Sequence, residues 1–277
     1  MRSINCRGRL LSLEEPVVMG IINITNESFY AGSRKSGADD AVELAGKMLA
    51  EGASILDVGG QSTSPKSKLL SAEEELKRVM PAIEAILTAF PDAILSIDTF
   101  YAGVAESAVQ AGAAIVNDIS AGHFDKQMLS TAGRLGAPYI AMHMRGTPQT
   151  MQSLAAYENI TREVMDYFIE RIDKCLQAGI NDIVLDPGYG FAKTREHNFE
   201  LLNNSGVFSI LGKPILTGIS RKSMIYKTLG IPVEEALNGT TVLNTIALQK
   251  GTNILRVHDV KEAVQAVRLV SKFNGNV

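Results

Sequence analysis

Eight times along this chain a short apolar run ends in a polar side chain and gives way to a helical stretch. The runs are Val17–Asn23, Ser54–Val58, Ala93–Ile97, Ala114–Asn117, Tyr139–Met142, Ile183–Asp186, Pro214–Gly218 and Asn253–Val257. In five places the helical stretch stops at a glycine (Gly52, Gly112, Gly136, Gly179 and Gly251), and the next run follows within a few residues. Glycine accepts the left-handed backbone that closes a helix. Runs that are apolar on both faces imply a parallel sheet covered by helices. Eight such units in 277 residues imply a single-domain α/β protein built as a (β/α)8 TIM barrel. A doubly wound sheet is the runner-up, but it needs fewer units, and no Gly-x-Gly-x-x-Gly follows the first run.

The spacing predicts helices over Asp39–Ala50, from Ser71 to about Ala89, Tyr101–Gln110, Lys126–Arg134, Tyr157–Ala178, His197–Asn203, Lys222–Leu229, Val233–Lys250 and Val260–Phe273. Ser71 and Glu74 have the spacing of a capping box. Arg2–Ser12 reads as a small hairpin within a short N-terminal extension of about residues 1–15. A net charge of −3 gives no sign of a nucleic-acid or anionic-membrane partner. No apolar run approaches the roughly 20 residues of a membrane span. The first residues carry charge rather than a signal-peptide core, so the cytoplasm is the default location. Cys6 and Cys175 have neither metal nor disulfide spacing, which suits a reducing compartment.

In a parallel barrel the carboxyl ends of all strands meet at one mouth, where the chemistry sits. Here those ends carry Asn23, Asp57, Asp98, Asn117, His143, Asp186, Ser220 with Lys222, and Arg256 with His258. Asp186 is the most pointed, because Pro187 stops the strand and Gly188 and Gly190 allow a tight turn. Alone it reads equally well as a turn cap. Asp98, Asn117 and Asp186 offer acceptors, and Asn117 also donors, which suits a flat heterocycle with several N–H groups, such as an aminopyrimidinone. Lys222, Arg256, His258, Thr63 and the backbone N–H groups of Gly59-Gly60 suit a phosphate or pyrophosphate. Asn23 can give Mg²⁺ a neutral oxygen, the rest of the shell coming from water and substrate phosphates. Asp57 reads either as part of the site or as a brace, and His143 as structural or catalytic. Met142 and Met144 read as packing, and His123 and His197 as ordinary loop or helix positions. No Ser-His-Asp or Cys-His arrangement is evident.

These residues form motifs that resemble those of the dihydropteroate synthase family. Met19-Gly20-Ile21-Ile22-Asn23-Ile24-Thr25, followed by Glu27-Ser28-Phe29, resembles its first signature, and Asp57-Val58-Gly59-Gly60-Gln61-Ser62-Thr63 its second. Ser96-Ile97-Asp98-Thr99, Val116-Asn117-Asp118-Ile119, Met142-His143-Met144, Asp186-Pro187-Gly188-Tyr189-Gly190-Phe191, Ser220-Arg221-Lys222-Ser223 and Arg256-Val257-His258-Asp259 follow in the family's order. The resemblance implies a transferase of folate biosynthesis, and a sulfonamide target, that joins 6-hydroxymethyl-7,8-dihydropterin diphosphate to 4-aminobenzoate with Mg²⁺. By the same resemblance Asp98, Asn117, Asp186, Lys222, Arg256, Met142, Phe191 and Gly218 bind the pterin. Asp98, Lys222 and Arg256 are the catalytic set. Asn23, Thr63, Ser64, Arg256 and His258 hold the diphosphate, Asn23 the metal, and Ser220 with Thr63 the aminobenzoate. A homodimer is implied too.

The chain departs from the pattern at two loops. Asn26-Glu27 stands where the family commonly has Pro-Asp, and Ser64 where it has Arg. Lys66 or Lys68 is expected to compensate for that arginine as a point charge. Two other readings stay open: a pterin-binding methyltransferase domain acting on methyltetrahydrofolate with a corrinoid protein, and a catalytically weak pterin-binding paralogue.

Overall fold

The computed structural model describes residues 2–24, 37–61 and 69–275. An antiparallel hairpin comes first, β1 (Ser3–Cys6) with β2 (Arg9–Ser12), where the sequence predicts one. Eight parallel strands follow: β3 (Val17–Asn23), β4 (Ile55–Gly59), β5 (Leu95–Asp98), β6 (Ile115–Asp118), β7 (Tyr139–Met142), β8 (Ile183–Asp186), β9 (Leu216–Thr217) and β10 (Ile254–Val257). They pair in the order β8-β7-β6-β5-β4-β3-β10-β9. A bridge between Leu185 and Ile215 brings β8 to β9, with the Leu185 N–H donating to the Pro214 carbonyl at 2.9 Å. This is the expected eight-stranded barrel, with its weakest seam there. The seam is thin because β9 keeps two residues of the five-residue run, and Pro214 has no N–H to donate to a ladder.

Nine described α-helices surround the strands: α1 (Gly37–Ala50), α2 (Ala72–Ala89), α3 (Ala102–Ala111), α4 (Met128–Leu135), α5 (Ile160–Gln177), α6 (Arg195–Asn204), α7 (Ser223–Leu229), α8 (Leu237–Gln249) and α9 (Val260–Phe273). Ser71 and Glu74 form the predicted capping box at the start of α2. α5 begins three residues later than the spacing suggests, because the Asn159 side chain accepts from the Arg162 N–H and fixes the first turn there. The stretch Val233–Lys250 divides into a single 3-10 turn, Val233–Glu235, and α8. Gly52, Gly112, Gly136, Gly179 and Gly251 all have positive φ, as the helix-stop reading requires.

Along each barrel strand the side chains alternate between two apolar clusters. Val18, Ile22, Leu56, Val58, Leu95, Ile97, Val116, Tyr139, Ala141, Ile183, Leu185, Leu255 and Val257 pack with the helices. Met19, Ile55, Ile115, Ile140, Val184, Leu216 and Ile254 pack inside the barrel instead. Ile4, Cys6 and Leu13 join this inner cluster, so the hairpin plugs the amino-terminal end of the barrel. Cys6 and Cys175 are buried free thiols. With a side-chain period of two, the next inward positions along the same strands are Asp57, Asn117, Asp186, Gly218 and Arg256. One layer of the barrel is therefore apolar and the next polar.

Candidate active site

The polar layer is held together across the barrel. Asp57 is fully buried, and its Oδ2 accepts from the Arg256 Nε at 2.6 Å and the Asn117 Nδ2 at 3.0 Å. Arg256 also donates through Nη2 to the Asp98 Oδ2 at 2.6 Å. One guanidinium thus bridges two carboxylates from neighbouring strands β4 and β5. The close approach needs Gly59, which lies beside Asp98 in the register. A Cβ there would sit 3.2 Å from the Asp98 Cβ. The Asp57 Oδ1 has no partner among the described residues. Of the two sequence readings for Asp57, the structure favours the brace: it orients Arg256 and Asn117 from below.

Asp186 ends β8, and its Oδ1 accepts from the Gly188 N–H at 2.7 Å, so it does cap its own turn. It is buried beneath that turn, which carries Tyr189, Gly190 and Phe191. Lys222 reaches over from the start of α7, donates to the Tyr189 carbonyl, and sets its ammonium 4.8 Å from the centre of the Phe191 ring. Gly218 lies between Arg256 and Lys222, and a Cβ on it would come within 3.8 Å of the Arg256 Cβ and 3.9 Å of the Lys222 Nζ. Met142 pairs in register with Asp186 and belongs to an apolar cluster with Phe100, Ile119, Met144, Met151 and Ala192, against which Phe191 packs. Met142 is thus both packing and a wall beside Asp186. A cavity of about 1010 Å³ opens alongside, bordered by Gly190, Phe191, Arg221, Lys222 and Ser223.

The remaining predicted residues divide. The Ser220 hydroxyl accepts from the His258 N–H at 3.2 Å and lies 3.1 Å from the His258 Nδ1, so these two form one unit at the ends of β9 and β10. Ser220 does not border the cavity, whereas Ser223 does. Asn23 is exposed at the end of β3. Arg221 has positive φ and is clamped by Asp259 through two hydrogen bonds of 2.9 and 2.8 Å, so it is a structural tie. His143 is buried against Tyr167, with ring centres 4.8 Å apart, which favours its structural reading. His197 serves the cap of α6. Thr63, Ser64, Lys66 and Lys68, with Asn26 and Glu27, lie outside the described residues.

Sequence reading missed Glu75. It is fully buried at the start of α2 and accepts from the Gln61 Nε2 at 2.8 Å. Gln61 in turn pairs with the Leu70 backbone N–H and carbonyl, both at 3.1 Å. Burial pushes the Glu75 carboxyl up to about 7. The signal was present as an acidic residue one position beyond the capping box, but acidic residues in a first helical turn are ordinarily solvated.

Burial also governs the charges of the polar layer. It pushes the Asp98 carboxyl up to about 7, opposed by Arg256 and aided by the neighbouring Asp57. It raises Asp186 as well, against the pull of Lys222. Lys222 is pushed down to about 8 by burial, with Asp186 opposing the shift. Burial works against the Arg256 charge too, but Asp57 and Asp98 outweigh it and keep the guanidinium protonated. The site is a ring of acceptors with two cations on one side, which suits a polar flat ring that donates N–H groups.

Such a barrel and acceptor ring define a pterin-binding enzyme, and the family model described as pterin binding enzyme matches residues 19–258. A dihydropteroate synthase of Escherichia coli strain K12 is 43% identical over 266 residues, 95% of this chain and 94% of that protein. A structure of Xanthomonas albilineans dihydropteroate synthase with 4-aminobenzoic acid superposes with a TM-score of 0.91 at 36% identity, covering 98% of each chain. Another from the same organism, in complex with 7,8-dihydropteroate, gives a TM-score of 0.89 at 34% identity over 99% of each chain. The chain belongs to the dihydropteroate synthase family, transferases of a pterinylmethyl group.

Proposed function

We propose that this chain condenses 6-hydroxymethyl-7,8-dihydropterin diphosphate with 4-aminobenzoate, giving 7,8-dihydropteroate and diphosphate. The observation that carries this reading is the acceptor set Asp98, Asn117 and Asp186, placed on the inner face of the barrel beside Arg256 and Lys222. Relatives bound to 4-aminobenzoic acid and to 7,8-dihydropteroate support the choice of substrates.

The carboxylates and Asn117 receive the pyrimidine N–H groups of the pterin, Lys222 faces its polar edge, and Arg256 lies against the ring. Met142, Phe191 and Gly218 shape the walls. The bond that breaks joins the pterin methylene to a diphosphate oxygen, and its electron pair leaves with the diphosphate. The methylene is left electron-poor, and the Asp98 carboxylate stabilises that charge through space. The arylamine nitrogen then donates its lone pair to the methylene and loses a proton to solvent. No protein atom forms a bond with substrate. The cavity beside Phe191 and Lys222 admits the aminobenzoate, and Ser223 on its wall is better placed for the carboxylate than Ser220, whose hydroxyl serves His258.

Asn23, His258 and Arg256 stand at the strand ends where the diphosphate would lie. Among the described residues no group of three or more His, Cys, Asp or Glu could hold a metal. A single neutral amide at Asn23 fits a Mg²⁺ ion held chiefly by substrate phosphates. When bound, the ion neutralises charge on the leaving diphosphate. We also propose a cytoplasmic homodimer. No helix among the described residues is long and apolar enough to cross a membrane, and Val242 on α8 with Leu269 and Phe273 on α9 are exposed apolar side chains available to a second copy.

Mixing both substrates with Mg²⁺ should release one diphosphate for each dihydropteroate formed. Excess chelator should abolish turnover and added Mg²⁺ restore it. Tight pterin binding with no diphosphate release would instead make the chain a pterin-binding paralogue.

A further inference from the structure

Lys193 follows the Asp186 turn and is almost fully buried, with 4% of its surface exposed. A lysine is rarely buried without a purpose that uses its donors. Its Nζ lies 2.9 Å from the Gly188 carbonyl, 3.0 Å from the Phe191 carbonyl, and 2.9 Å from the His143 Nδ1. A fourth acceptor, the His143 carbonyl, is more distant at 3.4 Å. The geometry closes in either charge state. As an ammonium, Lys193 donates one proton to each of the three near acceptors. As an amine, it donates two to the carbonyls and accepts the Nδ1–H of His143.

The turn it grips is left-handed at three positions, and strained at Ala192. Gly188, Gly190 and Ala192 have φ of 67°, 84° and 47°, so three of five successive residues are left-handed and one of them carries a side chain. Gly188 runs so close to His143 that a Cβ would lie 2.1 Å from the His143 carbonyl oxygen. Such backbone persists where the surroundings fix it from several sides. Asn198 accepts from the Gly190 N–H at 2.7 Å, and the Tyr157 hydroxyl donates to the Ala192 carbonyl at 2.9 Å. Lys193 is the side-chain tie at the centre: its Nζ reaches the carbonyls at both ends of the Gly188–Phe191 segment, adding to the 3.1 Å bond from the Phe191 N–H to the Gly188 carbonyl.

That segment is also the seat of Lys222. The Tyr189 carbonyl accepts from the Lys222 Nζ, the Phe191 ring lies beneath the ammonium, and a Cβ on Gly190 would lie 3.2 Å from the Lys222 Cδ. We propose that Lys193 is a positioning residue for the pterin site: by pinning the Gly188 and Phe191 carbonyls it fixes the Lys222 ammonium, and through it the affinity for the pterin ring. This rests on the reading that Lys222 faces the pterin.

A double-mutant cycle on the full chain tests it, with 6-hydroxymethylpterin as the calorimetric probe, steady-state kinetics alongside, and a thermal melt to establish folding. Lys222→Met should weaken pterin binding about 10- to 30-fold, as expected for a lost charged hydrogen bond. Lys193→Met should weaken it about 10-fold. The double variant should bind about as weakly as Lys222→Met alone, because both changes remove one coupled unit. If Lys193→Met proves unfolded, Lys193→Gln enters the same cycle under the same criteria. Parent-like pterin binding by the Lys193 variant, beside a clear loss in Lys222→Met, overturns the positioning role and leaves the site reading standing. Losses that multiply in the double variant also overturn it. Parent-like binding by Lys222→Met overturns both readings.

Discussion

The two ends of the barrel are built from the same strands and differ in almost everything else. At the amino-terminal end the inward residues are Met19, Ile55, Ile115, Ile140, Val184, Leu216 and Ile254, sealed by Ile4, Cys6 and Leu13 of the hairpin. Two residues further along, Ile55 gives way to Asp57, Ile115 to Asn117, Val184 to Asp186 and Ile254 to Arg256. A single step of the strand period separates a dry plug from a charged pocket. The lesson is a division of labour: apolar burial at one end supports the polar layer at the other, where buried carboxylates would otherwise weigh against folding. Because the period is two, a one-residue slip in register would turn both layers outward together. The apolar layer therefore fixes the direction in which the side chains of the polar layer point.

That contrast can be broken by mutation, and the largest effect is expected at the plug. Ile140 is fully buried, and Ile140→Ala should lower unfolding free energy by about 2–5 kcal/mol in a denaturant titration. Turnover per folded molecule should stay within about twofold of the parent, since the cavity forms in the apolar layer. The reverse holds for Asp186→Ala. Loss of hydrogen bonds to a charged group, worth about 1.5–3 kcal/mol, should weaken pterin binding about 10- to 100-fold. The melting transition should move little. An Asp186 variant that melts early yet binds pterin normally would erase the division.

A smaller effect comes from pH. Asp98 sits at about 7, raised by burial, so its negative charge is lost as pH falls through that value. Lys222 sits at about 8, lowered by burial, so its positive charge is lost as pH rises through that value. With both charges needed, kcat/KM for the pterin diphosphate should peak between about 7 and 8 and fall on either side, approaching tenfold per unit of pH. Asp98→Asn should flatten the acid limb only. A flat profile from pH 6 to 9 in the parent would mean that these two groups do not set the rate, roughly the range over which single titrations are read.

Much of this was legible in the sequence because its signals are local. Helix-stopping glycines, the Ser71–Glu74 box and the apolar runs each act within a few residues, and they fix the eight units. Strand-end polar residues could be gathered once the barrel topology was inferred. Asp57 could be noticed but not assigned, because its role depends on Arg256, 199 residues away in sequence. Lys193 was missed for a related reason. A lysine soon after a glycine turn reads as solvated, and only tertiary packing against His143 makes it a buried tie. The family resemblance put Ser220 forward for the aminobenzoate; its pairing with His258, and the place of Ser223 on the cavity wall, depend on tertiary packing that spacing does not show. The start of α5 slipped by three residues because one side-chain hydrogen bond at Asn159 outweighed the helical periodicity upstream.

The most direct test is a crystal structure of this chain with a pterin bound. The N–H edge of the ring should lie within hydrogen-bonding distance of Asp98, Asn117 and Asp186, with Lys222 at its polar edge and Arg256 against its face. A pterin seated elsewhere, or in the mouth with those three residues untouched, would contradict the assignment of the polar layer as the site of chemistry.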